Sequence, residues 1–281
     1  AGFASTAIEE NTGDGVVALF LQGCAGDINP VFYKDVDHPR DAEQLGNLLG
    51  LSALRAIHAV KCVPDERLTV VSETLELPRV DAAKRIADLE TRQLELLHSL
   101  RGTSLNLKTF LPLAVKYSLS EEYPSYYANR YLHEEAMGQE HLKKLDAQNR
   151  ENMKQYVENI RIMEELTRLQ ANLDLLKKHQ AENAAAASPT VPAELLGVRI
   201  GDFVLLTFPG EPSVQVGLDI KQHSPHALTF VAGYTNGYLY YAPTSDQANN
   251  SAYAQEDTDC ILAPEWQGFF EAKAAALLSQ L

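Results

Sequence analysis

Apolar and polar positions change period several times along the 281 residues, and each change predicts an element. Residues 3–10 have the pattern of a helix, closed by Asn11-Thr-Gly13-Asp-Gly15. Val16-Val-Ala-Leu-Phe-Leu21 is a continuous apolar run between glycines, as in a strand buried on both faces. Over residues 41–60, Leu45, Leu48, Leu49, Ile57 and Val60 fall largely on one side of an amphipathic helix. Strand, loop and helix in that order predict α/β layers. Residues 68–77 alternate in part, which predicts a strand with one wet face.

After Pro78 the period changes to that of helices. Residues 81–100 place Ile86, Leu89, Leu96, Leu97 and Leu100 at helical spacing and stop at Arg101-Gly102. Residues 133–182 form a longer pattern, with Met153, Tyr156, Ile160, Met163, Leu166, Leu169, Leu173 and Leu176 in steps of three and four. Such a seam predicts an antiparallel helical hairpin, inserted over 81–190 into one discontinuous α/β domain made of 1–80 and 191–281. The aromatic-rich connection between the two helices reads as a lid or contact surface. Residues 183–189 read as a frayed helix end and linker. Strands at 195–200 and 203–208 flank Gly201-Asp202, a two-residue hairpin signal. A helix at 213–222, a buried strand at 227–232 and a closing amphipathic helix at 266–281 follow.

Two of these strand ends carry chemistry. Leu205-Leu-Thr-Phe-Pro-Gly-Glu211 leaves its strand at a Pro-Gly turn, and Gly233-Tyr-Thr-Asn-Gly-Tyr-Leu-Tyr-Tyr-Ala-Pro-Thr244 ends the next one. A carboxylate at 211 and a phenol at 241 read as parts of one site. Plainer roles stand beside that one. Glu211 suits the N-terminus of the following helix. Tyr234, Tyr238, Tyr240 and Tyr241 suit a half-buried sheet. Asp27 suits a turn or a cap.

Composition narrows the chemistry. There are 24 Lys and Arg against 38 Asp and Glu, a net charge of −14. That argues against a nucleic-acid partner, disfavours an anionic membrane surface, and suits a neutral or cationic substrate or a metal ion. Cys24, Cys62 and Cys260 form no CxxC pair; a single bridge, and with it the redox compartment, stays open. No apolar run reaches the roughly 18 residues of a transmembrane segment. The chain opens Ala1-Gly-Phe-Ala-Ser, which reads as a mature product or a fragment. The eight histidines show no two-ligand spacing, and His133, His141 and His179 read as solvated or packing residues of the hairpin. There is no GxSxG, HExxH, P-loop or GxGxxG.

Three stretches in order, Gly15 to Pro30 with its Gly-Asp-Ile-Asn-Pro turn, Phe-Pro-Gly-Glu211, and Ala-Gly-Tyr-Thr-Asn-Gly-Tyr-Leu-Tyr-Tyr-Ala-Pro-Thr244, resemble the catalytic domain of neutral/alkaline ceramidases. The resemblance covers about residues 15–62 and 193–281, which it places in the C-terminal part of that domain. Those enzymes are zinc-dependent amidases of sphingolipid metabolism that cut the N-acyl bond of ceramide. The resemblance implies a hydrolase acting on an N-acyl amide or ester through metal-activated water, on a small or lipid-like substrate. It implies Glu211 and Tyr241 as zinc ligands, with two zinc histidines upstream of the chain. Tyr253, twelve residues beyond Tyr241, becomes a hydrogen-bond donor to the oxyanion, and Asp27 and Asn29 shape the opposite wall. It also tilts the localisation towards export.

Asn29 stands where the family has a serine often assigned as nucleophile, and an amide cannot replace a hydroxyl in that role. An amide can still donate to an oxyanion or orient water. The alternative is a non-catalytic binding or scaffold relative with the helical hairpin as its partner surface. The hairpin has no match in the family's better-known members, so the resemblance does not fix ceramide as the substrate.

Overall fold

The computed structural model describes residues 1–13, 15–29, 37, 41–249 and 255–281. They form two compact units, Ala1–Ala82 with Leu175–Leu281, and Ala83–Asp174. The α/β class and the helical hairpin expected from the sequence are both present.

The first unit is built on β1 (Leu68–Pro78), β2 (Thr190–Ile200), β3 (Phe203–Thr207) and β5 (Leu228–Ala232), hydrogen-bonded in the order β1-β2-β3-β5. β1, β2 and β3 pair antiparallel, while β3 and β5 pair parallel across the intervening helix α7 (Val214–His223). Gly201-Asp202 makes the β2–β3 turn, with Gly201 at φ 60°. One face of the sheet is dry. Leu77, Leu195, Leu206 and Val231 meet Val216 and Ile220 of α7 in one cluster with Trp266, Phe270, Ala274 and Leu277 of α9 (Trp266–Leu278). The period of the α9 residues, steps of three and four, is why that helix buries a stripe. Phe208, at the end of β3, is wedged against the rings of Trp266 and Phe270 at 5.2 and 4.7 Å.

Two expectations for the N-terminal part are corrected. Val16 to Leu21 form no strand among the described residues, and Val17, Leu19 and Leu21 are 73, 86 and 58% exposed. A continuous apolar run becomes a two-face-buried strand only when strands flank it, and none does here. In α2 (Ala42–Ala59), capped by Asp41 accepting from Glu43 N–H, the leucine-rich side is the exposed one. The buried positions are Gly46, Gly50 and Leu54. α1 (Gly2–Thr12) lies so close that a Cβ on Gly46 would stand 2.5 Å from Phe3 Cβ, and one on Gly50 2.8 Å from the Ala4 carbonyl. Small residues, and not the apolar stripe, decide which face of α2 is covered.

The second unit contains α3 (Ala83–Ser99), α4 (Leu107–Leu119), α5 (Asn129–Ala136) and α6 (His141–Ala185) as far as Asp174. α3 and α6 run antiparallel, joined by Arg92 to Glu165 at 3.0 Å and Gln93 to Gln170 at 2.7 Å. At the end of α3, Asn159 and Arg101 exchange side-chain and backbone hydrogen bonds. α4 then continues along α6, with Phe110 against Tyr156 and Tyr117 donating to Asp146 at 2.7 Å. The seam shifts at this change of partner. Ile160 and Met163 turn outward and Ile162 takes the buried place, while Leu169 and Leu173 stay fully buried. α4 occupies what reads in the sequence as plain connection. An Asn106–Thr109 capping box starts it, and Pro112 sits inside it.

Candidate active site

The chain leaves β3 at Phe208 and is laced at once to the loop that follows β5. Leu239 N–H donates to the Pro209 carbonyl, Tyr234 N–H to that of Gly210 at 3.0 Å, and Glu211 N–H to that of Tyr240 at 2.9 Å. These bonds set β4 (Glu211–Pro212) parallel to β6 (Tyr241–Ala242), with Glu211 in register with Tyr241. Register partners in a parallel pair project to the same face, and neighbouring strands lie about 4.8 Å apart. The carboxylate and the phenol singled out in the sequence are brought together.

Glu211 has company that the sequence did not single out. Tyr238 donates its hydroxyl to Glu211 Oε1, and Tyr234 lies beside the same carboxylate. Desolvation, reinforced by the Glu211 carboxylate, pushes both phenols above their ordinary value, so they hold their protons. The rings of Tyr234 and Tyr238 stack at 6.1 Å, and Tyr240 lies 5.4 Å from Tyr238. Tyr234, Asn236 and Tyr240 have φ of 59, 56 and 60°, left-handed conformations rare for residues with side chains. Each costs about 1–2 kcal/mol, and such strain gathers where a site must be held in one shape.

The Gly-Asp-Ile-Asn turn docks on the other side of the ladder. Gly26 N–H donates to the Pro212 carbonyl at 3.0 Å, and a Cβ on Gly26 would stand 2.4 Å from the Glu211 carbonyl oxygen. Only glycine allows that approach. Asp27 Oδ1 accepts from Val214 N–H at 2.8 Å, and its Oδ2 accepts from Gln247 Nε2 at 2.9 Å. Asp27 therefore caps α7, whose own N-cap Ser213 makes no capping bond. The plainer sequence reading, which gave that helix end to Glu211, is replaced by this contact. Asn29 is exposed at the end of the turn. Tyr253 lies outside the described residues.

His179, read from the sequence as a solvated or packing residue, is buried at 1% exposure. Its Nε2 is 2.6 Å from Asp259 Oδ1, its Nδ1 is 3.4 Å from Glu182, and its ring meets Tyr240 edge-on at 4.5 Å. Asp259 accepts the Tyr241 N–H through its backbone carbonyl at 3.1 Å. The last turns of α6 are thereby fixed to the strand that carries Tyr241. No local pattern joins residues 80 positions apart, so only the fold exposes this pair.

Among the described residues no three His, Cys, Asp or Glu side chains are grouped as a metal site, and all three cysteines are free thiols. Glu211 and Tyr241 are an oxygen pair on one face, of a donor type that zinc accepts, and Tyr238 donates to the carboxylate. A complete shell requires further donors. No helix among the described residues is long and apolar enough to cross a membrane.

No protein-family model and no curated protein matches the chain. Among solved structures, the whole chain aligns with 40% of a neutral ceramidase from Pseudomonas aeruginosa, at 17% identity and a TM-score of 0.44. It aligns with 42% of a ceramidase complexed with C2, at 17% identity and a TM-score of 0.49. The chain spans about two-fifths of the length of these structures.

Proposed function

We propose that the chain forms part of a zinc-dependent hydrolase that cleaves an N-acyl amide of a lipid-like substrate, the bond that neutral ceramidases cleave. The observation that carries the proposal is the in-register pairing of Glu211 with Tyr241, which joins two of the three resembling motifs. Both side chains serve as metal ligands. Zinc, when bound, supplies a Lewis acid for the scissile carbonyl and activates water. Tyr234 and Tyr238 keep their protons, and Tyr238 orients Glu211 by donating to it. Asp27 fixes the helix α7 and the turn before it, so Asn29 is presented on a steady loop as an amide donor.

One observation favours the second reading, a binding or scaffold relative. Both Asp27 oxygens are engaged in structure and Asn29 offers no hydroxyl, so this turn brings neither base nor nucleophile.

The test is zinc binding by equilibrium dialysis, alongside turnover of N-acyl substrates, in the intact natural protein. Glu211→Gln is expected to abolish stoichiometric zinc and turnover together. Tyr238→Phe is expected to weaken zinc about 10–100-fold, as loss of a group supporting a ligand does. An intact protein that holds no zinc, or a Glu211→Gln variant that holds it undiminished, overturns the metal assignment. Unchanged turnover in both Asn29→Ala and Glu211→Gln selects the binding reading.

A further inference from the structure

Helix α4 leaves a continuous aliphatic stripe uncovered. Leu107, Leu111, Val115 and Leu119 recur every fourth residue and are 63, 58, 52 and 82% exposed. The opposite side of the helix is occupied. Phe110 packs on Tyr156 at 4.7 Å, and Tyr117 bonds Asp146 and accepts from Asn149 at 3.1 Å. Contacts on that side fix the rotation of α4, so the stripe faces outward by construction. Aligned exposed aliphatics on one helix mark an interaction surface far more often than scattered ones do.

Charge narrows the partner. α4 carries Lys108 and Lys116 and no carboxylate, in a chain with 38 acidic residues. Residues 83–174 hold 13 Lys and Arg against 14 Asp and Glu, a net of −1 out of the chain's −14. The acidity that disfavours an anionic surface for the chain as a whole thus belongs almost entirely to the other unit. Beyond the helix, Lys116 lies 4.2 Å over the ring of Tyr123, which is half-exposed, and Tyr127 is 83% exposed. Tyrosines with a wet tip and lysines with long apolar stems both suit the boundary between headgroups and acyl chains.

We propose that this face of α4 docks on an anionic lipid bilayer, the aliphatic stripe entering the headgroup boundary and Lys108 and Lys116 meeting lipid phosphates. The composition favours lipid over protein. Protein interfaces are enriched in aromatic residues and Arg and depleted in Lys, whereas this stripe is aliphatic and bordered by lysines, as in helices that lie in a membrane surface. The surface belongs to the 83–174 unit and is independent of the metal reading of Glu211.

The experiment is co-sedimentation of the full chain with phosphatidylcholine vesicles, with and without phosphatidylglycerol. Association is expected with the anionic vesicles. The variant Leu111→Ser/Val115→Ser/Leu119→Ser is expected to lower the partition coefficient about tenfold or more, because it removes aliphatic area that insertion would bury. Lys108→Gln/Lys116→Gln, which disturbs no packed side chain of the α4–α6 contact, is expected to lower binding to anionic vesicles about tenfold and to leave phosphatidylcholine binding unchanged. Absence of association with anionic vesicles overturns the proposal, as does undiminished binding of those vesicles by either variant. A chain that self-associates in sedimentation velocity, and that the serine variant makes monomeric, overturns it in favour of a protein interface.

Discussion

Between the β-sheet and α9, core side chains such as Leu195, Leu206 and Phe270 have no exposed surface and belong to one apolar cluster. In the 83–174 unit the buried set includes a carboxylate. Asp146, 1% exposed, accepts from Tyr117, from Tyr131 and from Tyr123 N–H, and the helices are otherwise joined by Arg92–Glu165, Gln93–Gln170 and Arg101–Asn159. The sheet and α9 share a dry core that holds the β4–β6 ladder at its edge, while the same unit leaves Val17, Leu19 and most leucines of α2 exposed. The helical unit joins its parts through these polar groups together with Leu96, Ile162, Leu169 and Leu173, and leaves Leu111, Val115 and Leu119 outside. The dry core between sheet and α9 positions the ladder, and the outer side of α4 presents a surface.

Three measurements break or sharpen the contrast. The largest effect is expected from Phe270→Ala, which empties a ring site packed by Phe208 and Trp266. It is expected to cost the sheet unit about 3–5 kcal/mol. Trp266, the single tryptophan, reports that loss in a denaturant titration. If its fluorescence midpoint does not move, the dry core is misplaced.

Next is Asp146→Ala, which strips the buried Tyr131 hydroxyl of its acceptor and is expected to cost about 2–3 kcal/mol. Here the far-ultraviolet helical signal is expected to lose stability while the Trp266 midpoint holds. Equal shifts in both signals would dissolve the distinction between the units.

The smallest effect is chemical. All three thiols lie in the sheet unit, and burial pushes Cys24 from 9.0 up to about 11. At mildly alkaline pH, iodoacetamide followed by mass spectrometry is expected to label exposed Cys62 and spare Cys24 and buried Cys260. The sign for stability follows. Below pH 9 the Cys24 thiol is protonated in both states and pH has no effect through it. As pH rises from 9 through about 11 the unfolded thiol ionises first, so stability falls. Rapid labelling of Cys24 in the folded chain would contradict the burial.

Local signals were legible where a local cause suffices. Asp41 is the N-cap of α2, Gly201-Asp202 is the β2–β3 turn, and Trp266 opens α9. Elements whose fate depends on a distant partner were not. Val16 to Leu21 has the composition of a buried strand and lacks neighbours to bury it. α4 was masked by Pro112, although the Asn106–Thr109 capping box was there to be read. For the site, the motifs pointed to Glu211 and Tyr241, which the fold sets in register. They did not separate Tyr238, which bonds Glu211, from Tyr240, which meets His179 edge-on. That division is made by the backbone turns at 234 and 240, and no side-chain pattern encodes it.

Those turns carry a consequence for how such a sequence can change. At Tyr234, Asn236 and Tyr240 glycine would relax the backbone, so the present side chains sit there at a conformational cost. A lineage released from whatever these tyrosines do would be expected to drift to glycine or asparagine at 234 and 240 before its core altered. The aromatic identity of two strained positions is thus a clock for lost function, readable in any descendant sequence without an assay.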